Sequence, residues 1–260
     1  MILFVTAAVF GILPGSLSAE QVLRVVCFHY PPNLISDRLG AAPGAPKGAI
    51  VRVWEDYIAP KAGVKIQWIG PVPFSRAMKM LEYGEADAIQ HLSKTPERET
   101  KFIFSKKPIM WDRSGILVLK SEKLNAVTDV SQLKDRKIAM IGKGYLPPFM
   151  VKNREKLLID EVIGERAGEN VMRMVVNGRV WGGYFTFPDV LLYYAAIEGY
   201  RDRLKVIPYP GAEVMEVTFA AMSRSSDPRL VARVDAAISS VYGTYDYPSL
   251  VRDVLRQIVK

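Results

Sequence analysis

The sequence is poor in the side chains from which most active sites are built. Among its 260 residues there is one cysteine, Cys27, and there are two histidines, His29 and His91. A single thiol excludes an intrachain disulfide and any cysteine-based metal cluster. Two isolated histidines at predicted strand ends are more often polar packing or rim residues than a metal site. No cofactor is expected. The chain also lacks internal repeats, low-complexity tracts and basic runs. Its 35 basic residues are scattered among 27 acidic ones, for a net charge of +8. Aromatics do not interleave with bases as on an RNA-binding sheet, so the charge reads as a solvated surface that favours anionic solutes, not nucleic acid.

Charge is missing altogether from residues 1 to 19. Ile2 to Leu13 is apolar and is broken by Pro14-Gly15, and Leu17-Ser18-Ala19 puts a small residue before Glu20. This predicts a secretory signal peptide, residues 1–19, cleaved after Ala19, although only the terminal amine supplies the positive start. The alternative, a retained anchor, has an apolar run well short of the roughly 20 residues a spanning helix needs. Cys27 lies beyond the cleavage point and is not a lipidation site there.

What is present is ordinary globular material, 49% hydrophobic and 24% charged. The length allows one large domain or two of about 100–150 residues. Phe74, Ala77, Met78 and Leu81 recur at helical spacing, and Gly84 closes that helix. Asp87 to Leu92 predicts a short buried strand, Ser93-Lys94-Thr95-Pro96 a polar turn, and Arg98 the first turn of a further helix. A strand end meeting a helix start offers free N–H groups, a hydroxyl and a guanidinium, a combination suited to a carboxylate. Against this stands an exposed turn whose Arg98 pairs with Glu97, Glu99 or nothing.

Taken in order, Val22 to Phe28 predicts the first strand, running into His29-Tyr30-Pro31-Pro32. That places Tyr30 where open α/β sheets bind ligands; a packed loop aromatic is the plainer reading. Asp37 to Lys47 predicts a surface loop, Ile50 to Ile58 a helix and Val64 to Ile69 a second strand, completing a βαβαβ pattern. Ile116 to Lys120 predicts a strand crossing into a second lobe, whose first full strand, Lys137 to Ile141, runs into Gly142-Lys143-Gly144-Tyr145-Leu146-Pro147-Pro148. Glycines there admit a ligand to the backbone, and Lys143 adds charge. A plain strand-to-helix turn is equally compatible, and the Gly-Lys-Ser/Thr ending of a P-loop is absent. Helix and strand alternate to Ile207, Val214 to Met222 predicts the strand that returns to the first lobe, and two helices close the chain.

Gly84-x-x-Asp87-Ala88 followed by Ser93-x-Thr95-Pro96-x-Arg98 resembles the ligand-binding signature of bacterial extracellular solute-binding proteins of family 3, the polar-amino-acid receptors of ABC importers. Tyr30-Pro31-Pro32, Phe104-Ser105 and Gly178-Arg179-Val180 fall in the matching order. The resemblance implies an α/β two-lobe periplasmic binding protein-like fold (type II), each lobe a mixed, mainly parallel sheet flanked by helices, with two hinge crossings. Lobe 1 would comprise residues 20–114 and 214–260, and lobe 2 residues 115–213. It implies a periplasmic monomer that captures a small carboxylate-bearing solute and partners an ABC transporter permease. The ligand-contacting residues expected on this basis are Phe28, Tyr30, Gln90, Ser93, Arg98, Trp111, Lys143, Gly144, Tyr145 and Thr186.

Two positions depart from the family pattern. Tyr145 and Leu146 make the second-lobe turn bulkier than the family's small Ser/Thr turn. Thr186 stands where amino-acid receptors place the carboxylate that pairs with the ligand's α-ammonium, with Asp189 three residues later. An ammonium buried without a carboxylate costs several kcal/mol. The cleft is therefore expected to prefer ligands without one, unless Asp189 or Glu213 restores the charge. Phe28, Tyr30, Trp111, Tyr145 and Tyr184 suggest a ligand with a flat or apolar part. Beside transport stand two other functions, a sensory input protein for a membrane partner and a dehydratase-like enzyme on the same scaffold. The enzyme would have to rely on His29, His91 or Glu213, none with a recognisable catalytic partner.

Overall fold

The computed structural model describes residues 21–36, 46–164 and 166–258. The expected leader, residues 1–19, and most of the Asp37–Lys47 loop lie outside them. Apolar residues at strand and helix periods produce the expected beginning. β1 (Gln21–Val26) leads to one continuous helix, made of α1 (Ala49–Arg52), a π-helical stretch Val53–Ile58 and α2 (Ala59–Ala62). β2 (Val64–Ile69), α3 (Phe74–Glu82), β3 (Ala88–Leu92) and α4 (Pro96–Lys101) follow. Trp54 is fully buried and donates its indole N–H to the Gln90 carbonyl oxygen at 2.8 Å, fastening the long helix to β3.

Two three-residue strands, β4 (Phe102–Phe104) and β5 (Met110–Asp112), come next. β6 (Gly115–Leu119), β7 (Lys137–Ile141), α5 (Pro148–Lys152), β8 (Leu158–Val162), α6 (Ala167–Val176), β9 (Gly182–Phe185), α7 (Asp189–Ile197) and β10 (Leu204–Ile207) form the second lobe. β11 (Glu216–Ser223), α8 (Pro228–Val241) and α9 (Tyr247–Ile258) complete the first.

One sheet has the order β2-β1-β3-β11-β4, with β5 also on β11; the other has β10-β6-β9-β7-β8. β1 runs parallel to β2 and β3, and β7 parallel to β8 and β9. β11 is antiparallel to β3, β4 and β5, and β6 is antiparallel to β9 and β10. Antiparallel pairing thus takes a larger share than the mainly parallel expectation, because the strands that follow each crossing turn back on their sheet. The crossings themselves run from β5 to β6 and from β10 to β11.

The Gly84-to-Asp87 part of the signature is structural. Gly84 adopts φ +74°, a left-handed turn that ends the α3 region, and a Cβ there would meet the Ser225 hydroxyl. Asp87 then receives Arg24 through the side chain at 3.0 Å (Nε) and 2.9 Å (Nη2), and through the backbone N–H at 2.9 Å. Arg24 also donates to the carbonyls of Gly84 and Glu85, both at 3.1 Å. Burial would raise the Asp87 pKa, but the hydrogen bonds and charge of Arg24 win and lower it.

Candidate functional site

The signature turn is built to hold Arg98 in place. Thr95 caps α4 by accepting the Arg98 backbone N–H at 3.2 Å, and Pro96 occupies the first helical position, where its missing donor costs nothing. The Arg98 side chain is 8% exposed. One Nη donates to the Ser93 carbonyl and the other, across the cleft, to the Lys143 carbonyl, both at 3.0 Å. The guanidinium also lies 5.7 Å from the Phe74 ring centroid. Burial lowers its pKa, an effect that the charge of neighbouring Glu97 opposes. Arg remains charged all the same, so the site holds a desolvated cation whose nearest partners are neutral carbonyls.

Around Arg98 lies a cavity of about 40 Å³ lined from both lobes. The first lobe contributes Phe28, Tyr30, Phe74, His91, Ser93, Arg98 and Thr218. The second contributes Met140, Ile141, Gly144, Tyr145, Tyr184, Phe185 and Thr186. At ~10–15 Å³ for each water-sized group, the free space is about three such groups. Gly144 is needed where it stands, because a Cβ there would come within 2.8 Å of the Ile141 carbonyl oxygen. Lys143 adopts φ 59°, which aims its carbonyl at Arg98.

Seven of the ten expected ligand-contacting residues therefore meet around one cavity: Phe28, Tyr30, Ser93, Arg98, Gly144, Tyr145 and Thr186. Three do not line it. Gln90 is fully buried, and its Oε1 accepts the Phe28 N–H at 3.0 Å, so it braces β1 from behind. Trp111 stacks on Tyr245 with centroids 5.4 Å apart, because pairing of β5 with β11 turns its ring toward the closing helices. Lys143 contributes its carbonyl, while its side chain borders a separate groove with Arg76 and Glu161.

The histidines differ in their surroundings. His91 is 5% exposed, packs 4.8 Å from Tyr30 and 5.2 Å from Phe28, and burial pushes its pKa down to about 3. It is a neutral imidazole at ordinary pH, with Nε2 unpartnered among the described residues. His29 lies in a neighbouring groove 6.2 Å from Tyr194, its pKa lowered mainly by burial. Among the described residues no group of three or more His, Cys, Asp or Glu side chains gathers as a metal site.

Neither acid suggested for the ammonium role reaches the cavity wall. Asp189 faces Asp112, and burial together with that neighbour raises its pKa to about 7. Glu213 is exposed and accepts the Gly211 N–H at 3.1 Å. A further acid, which the sequence reading passed over, is Glu216, the first residue of β11; it does not line the cavity either. It lies two residues before Thr218, which lines the cavity, and so on the same face of the strand. Its signal in the sequence is modest: it is the one charged residue between Val214 and Met222.

The fold has many solved counterparts. An amino-acid ABC transporter substrate-binding protein, AbpA from Streptococcus pneumoniae, bound to L-arginine, superposes with a TM-score of 0.72 at 18% identity, covering 93% of this chain and 97% of that one. An ancestral arginine-binding protein bound to glutamine gives 0.69 at 19% identity, covering 90% and 98%. The BvgS periplasmic VFT2 domain of Bordetella pertussis gives 0.68 at 17% identity, covering 92% and 93%. Such identities show the shared type II periplasmic binding protein architecture and no more. Curated proteins give no match. At the level of sequence, residues 27–253 match bacterial extracellular solute-binding proteins, family 3. That match takes in nearly all of the described chain, including the signature turn, both crossings and every residue lining the cavity, and the chain belongs to this family of solute-binding proteins.

Proposed function

We infer that the protein captures a small carboxylate-bearing solute between its two lobes without transforming it. The observation that carries this reading is Arg98, a buried cation with no ion pair among the described residues and hydrogen bonds to both lobes. A carboxylate can take two parallel N–H donors from a guanidinium and supply the missing charge. A ligand so held touches both lobes and stabilises the closed arrangement by its differential affinity. The moving units are residues 20–114 with 214–260, and residues 115–213.

Family membership supports a place outside the cytoplasm, with residues 1–19 as the export signal and an ABC permease as the partner. A sensory role is the second reading, favoured by the likeness in fold to a histidine kinase sensor domain. Loss of solute uptake in cells lacking the protein supports import; loss of a transcriptional response with uptake intact supports sensing. Catalysis is disfavoured by the histidines, since His91 stays neutral without an orienting hydrogen bond on Nε2 and His29 lies outside the cavity.

A thermal-shift screen of amino acids and small organic acids tests the central reading. A ligand at 100 times its Kd stabilises the fold by about 2.7 kcal/mol. Arg98→Ala should weaken binding by about 2–5 kcal/mol. A variant that binds as tightly as the parent removes Arg98 from the site.

A further inference from the structure

The described residues that line the cavity carry one ionised group, the Arg98 guanidinium. His91 stays neutral because burial lowers its pKa to about 3, and burial raises the phenols of Tyr30, Tyr145 and Tyr184 above their ordinary value. Asp189, Glu213 and Glu216 all lie off the wall. A single negative charge on a ligand is therefore matched by Arg98. An ammonium on the same ligand would be desolvated with no carboxylate beside it. The electrostatics favour a monoanion whose remaining polarity is uncharged.

Two neutral polar atoms mark where that polarity goes. His91 Nε2 and Thr218 Oγ1 are buried without a hydrogen-bond partner among the described residues, and both residues line the cavity, 5% and 1% exposed. Buried polar atoms are nearly always paired, and one left unpaired costs about 1–3 kcal/mol. The two come from adjacent strands: His91 lies on β3, and Thr218 on β11 next to Phe219, which pairs with Leu92. Phe28 links the histidine to the arginine side of the cavity. Its ring is 5.2 Å from His91 and 5.0 Å from Phe74, and the Arg98 guanidinium lies 5.7 Å from the Phe74 centroid. A neutral imidazole can carry its proton on Nε2, and a threonine hydroxyl can donate or accept. A hydroxyl or carbonyl oxygen satisfies both atoms, whereas a plain alkyl group leaves them unpaired.

We propose that the solute is a short hydroxy or oxo acid, its carboxylate on Arg98 and its neutral oxygen met by His91 Nε2 and Thr218 Oγ1. The inference rests on the Arg98 reading and narrows it. Free space for about three water-sized groups limits the chain to a few carbons. His91 and Thr218 then determine specificity, separating the solute from both the plain acid and the amino acid of the same length. The uncharged Thr186 on the wall accords with this scheme.

Calorimetric titration of glycolate, lactate and pyruvate against propionate and alanine decides. In the parent, at least one of the first three should bind more than about tenfold tighter than both propionate and alanine. Thr218→Val, which exchanges the hydroxyl for a methyl, should cut the ratio to propionate to about threefold or less. His91→Phe, which keeps a ring and removes both nitrogens, should do the same, and it decides the matter if Thr218→Val does not fold. A ratio that survives in a folded variant of either residue overturns the assignment. Alanine binding as tightly as the best oxygen-bearing acid also overturns it, since the ammonium must then have a charge partner. So does propionate binding equally tightly; if Arg98→Ala abolishes that binding, the carboxylate reading stands without the further assignment. If none of the five binds, the hydroxy- or oxo-acid proposal fails, and the thermal-shift screen of other acids tests Arg98 on its own.

Discussion

Asp112 on β5 and Asp189 on α7 confront each other, one carboxyl from each lobe. Burial and the Asp112 charge raise the Asp189 pKa from 3.8 to about 7, against a weaker pull from Arg201. A carboxyl buried against a second carboxylate is held in its neutral form more readily than one facing water. The buried phenols of Tyr30 and Tyr247 also sense the Asp189 charge.

Stability should therefore depend on pH through this pair. The folded state holds the Asp189 proton longer than the unfolded chain does, so its contribution is complete below pH 4 and is lost as pH rises through about 7. His91 acts with the opposite sign: its neutral ring, with a pKa of about 3, costs stability as pH falls from 6.5 toward 3. Comparison with Asp189→Asn isolates the carboxyl. Urea denaturation from pH 5 to 8 should show the parent losing stability relative to the variant, and a difference that stays constant with pH would refute the raised Asp189 pKa.

Tyr145 should set the size limit for ligands. It stands on the wall of a cavity of about 40 Å³. Tyr145→Ala should improve the binding of five- and six-carbon carboxylates by about tenfold or more, at a cost of about 1–3 kcal/mol in stability. Competition binding over a length series reads this directly, and an unchanged length preference would move the limit to Phe28 or Phe74.

Asp87 should matter for folding and not for binding. Asp87→Asn removes the charge that meets Arg24 and weakens its bonds to the side chain and backbone of that residue. The expected loss is about 2–3 kcal/mol of stability, with ligand affinity unchanged at a temperature where the variant is folded. A tenfold loss of affinity in a fully folded variant would contradict the structural role.

Local patterns were the most readable part of this chain. The α3 period, the Gly84 stop, the Thr95 cap and Pro96 each follow from backbone chemistry within a few residues, and they delivered Arg98 to the cleft. What depended on pairing across the chain was harder to read. β4 and β5 are three residues each, too short for a period of two to stand out, so the turn of Trp111 toward Tyr245 was hidden. Gln90 reads as a polar residue near a cleft until β1 is laid beside β3 and its amide meets Phe28. Glu216 was passed over because its neighbours read as an apolar strand, and its place beside Tyr145 depends on a turn far away in sequence.

The placement of β11 also fixes an order of assembly. The second sheet draws all five strands from Gly115 to Ile207 and can form as soon as that stretch exists. The first sheet cannot, since β3 waits for a neighbour made long after it, with Leu92 opposite Phe219. Until then β3 offers an unpaired edge in a buried, mostly apolar strand, the kind of edge that recruits other chains. A chain synthesised or exported from its N-terminus passes through that exposed stage every time, so the vulnerable interval in its life ends only when Glu216–Ser223 docks.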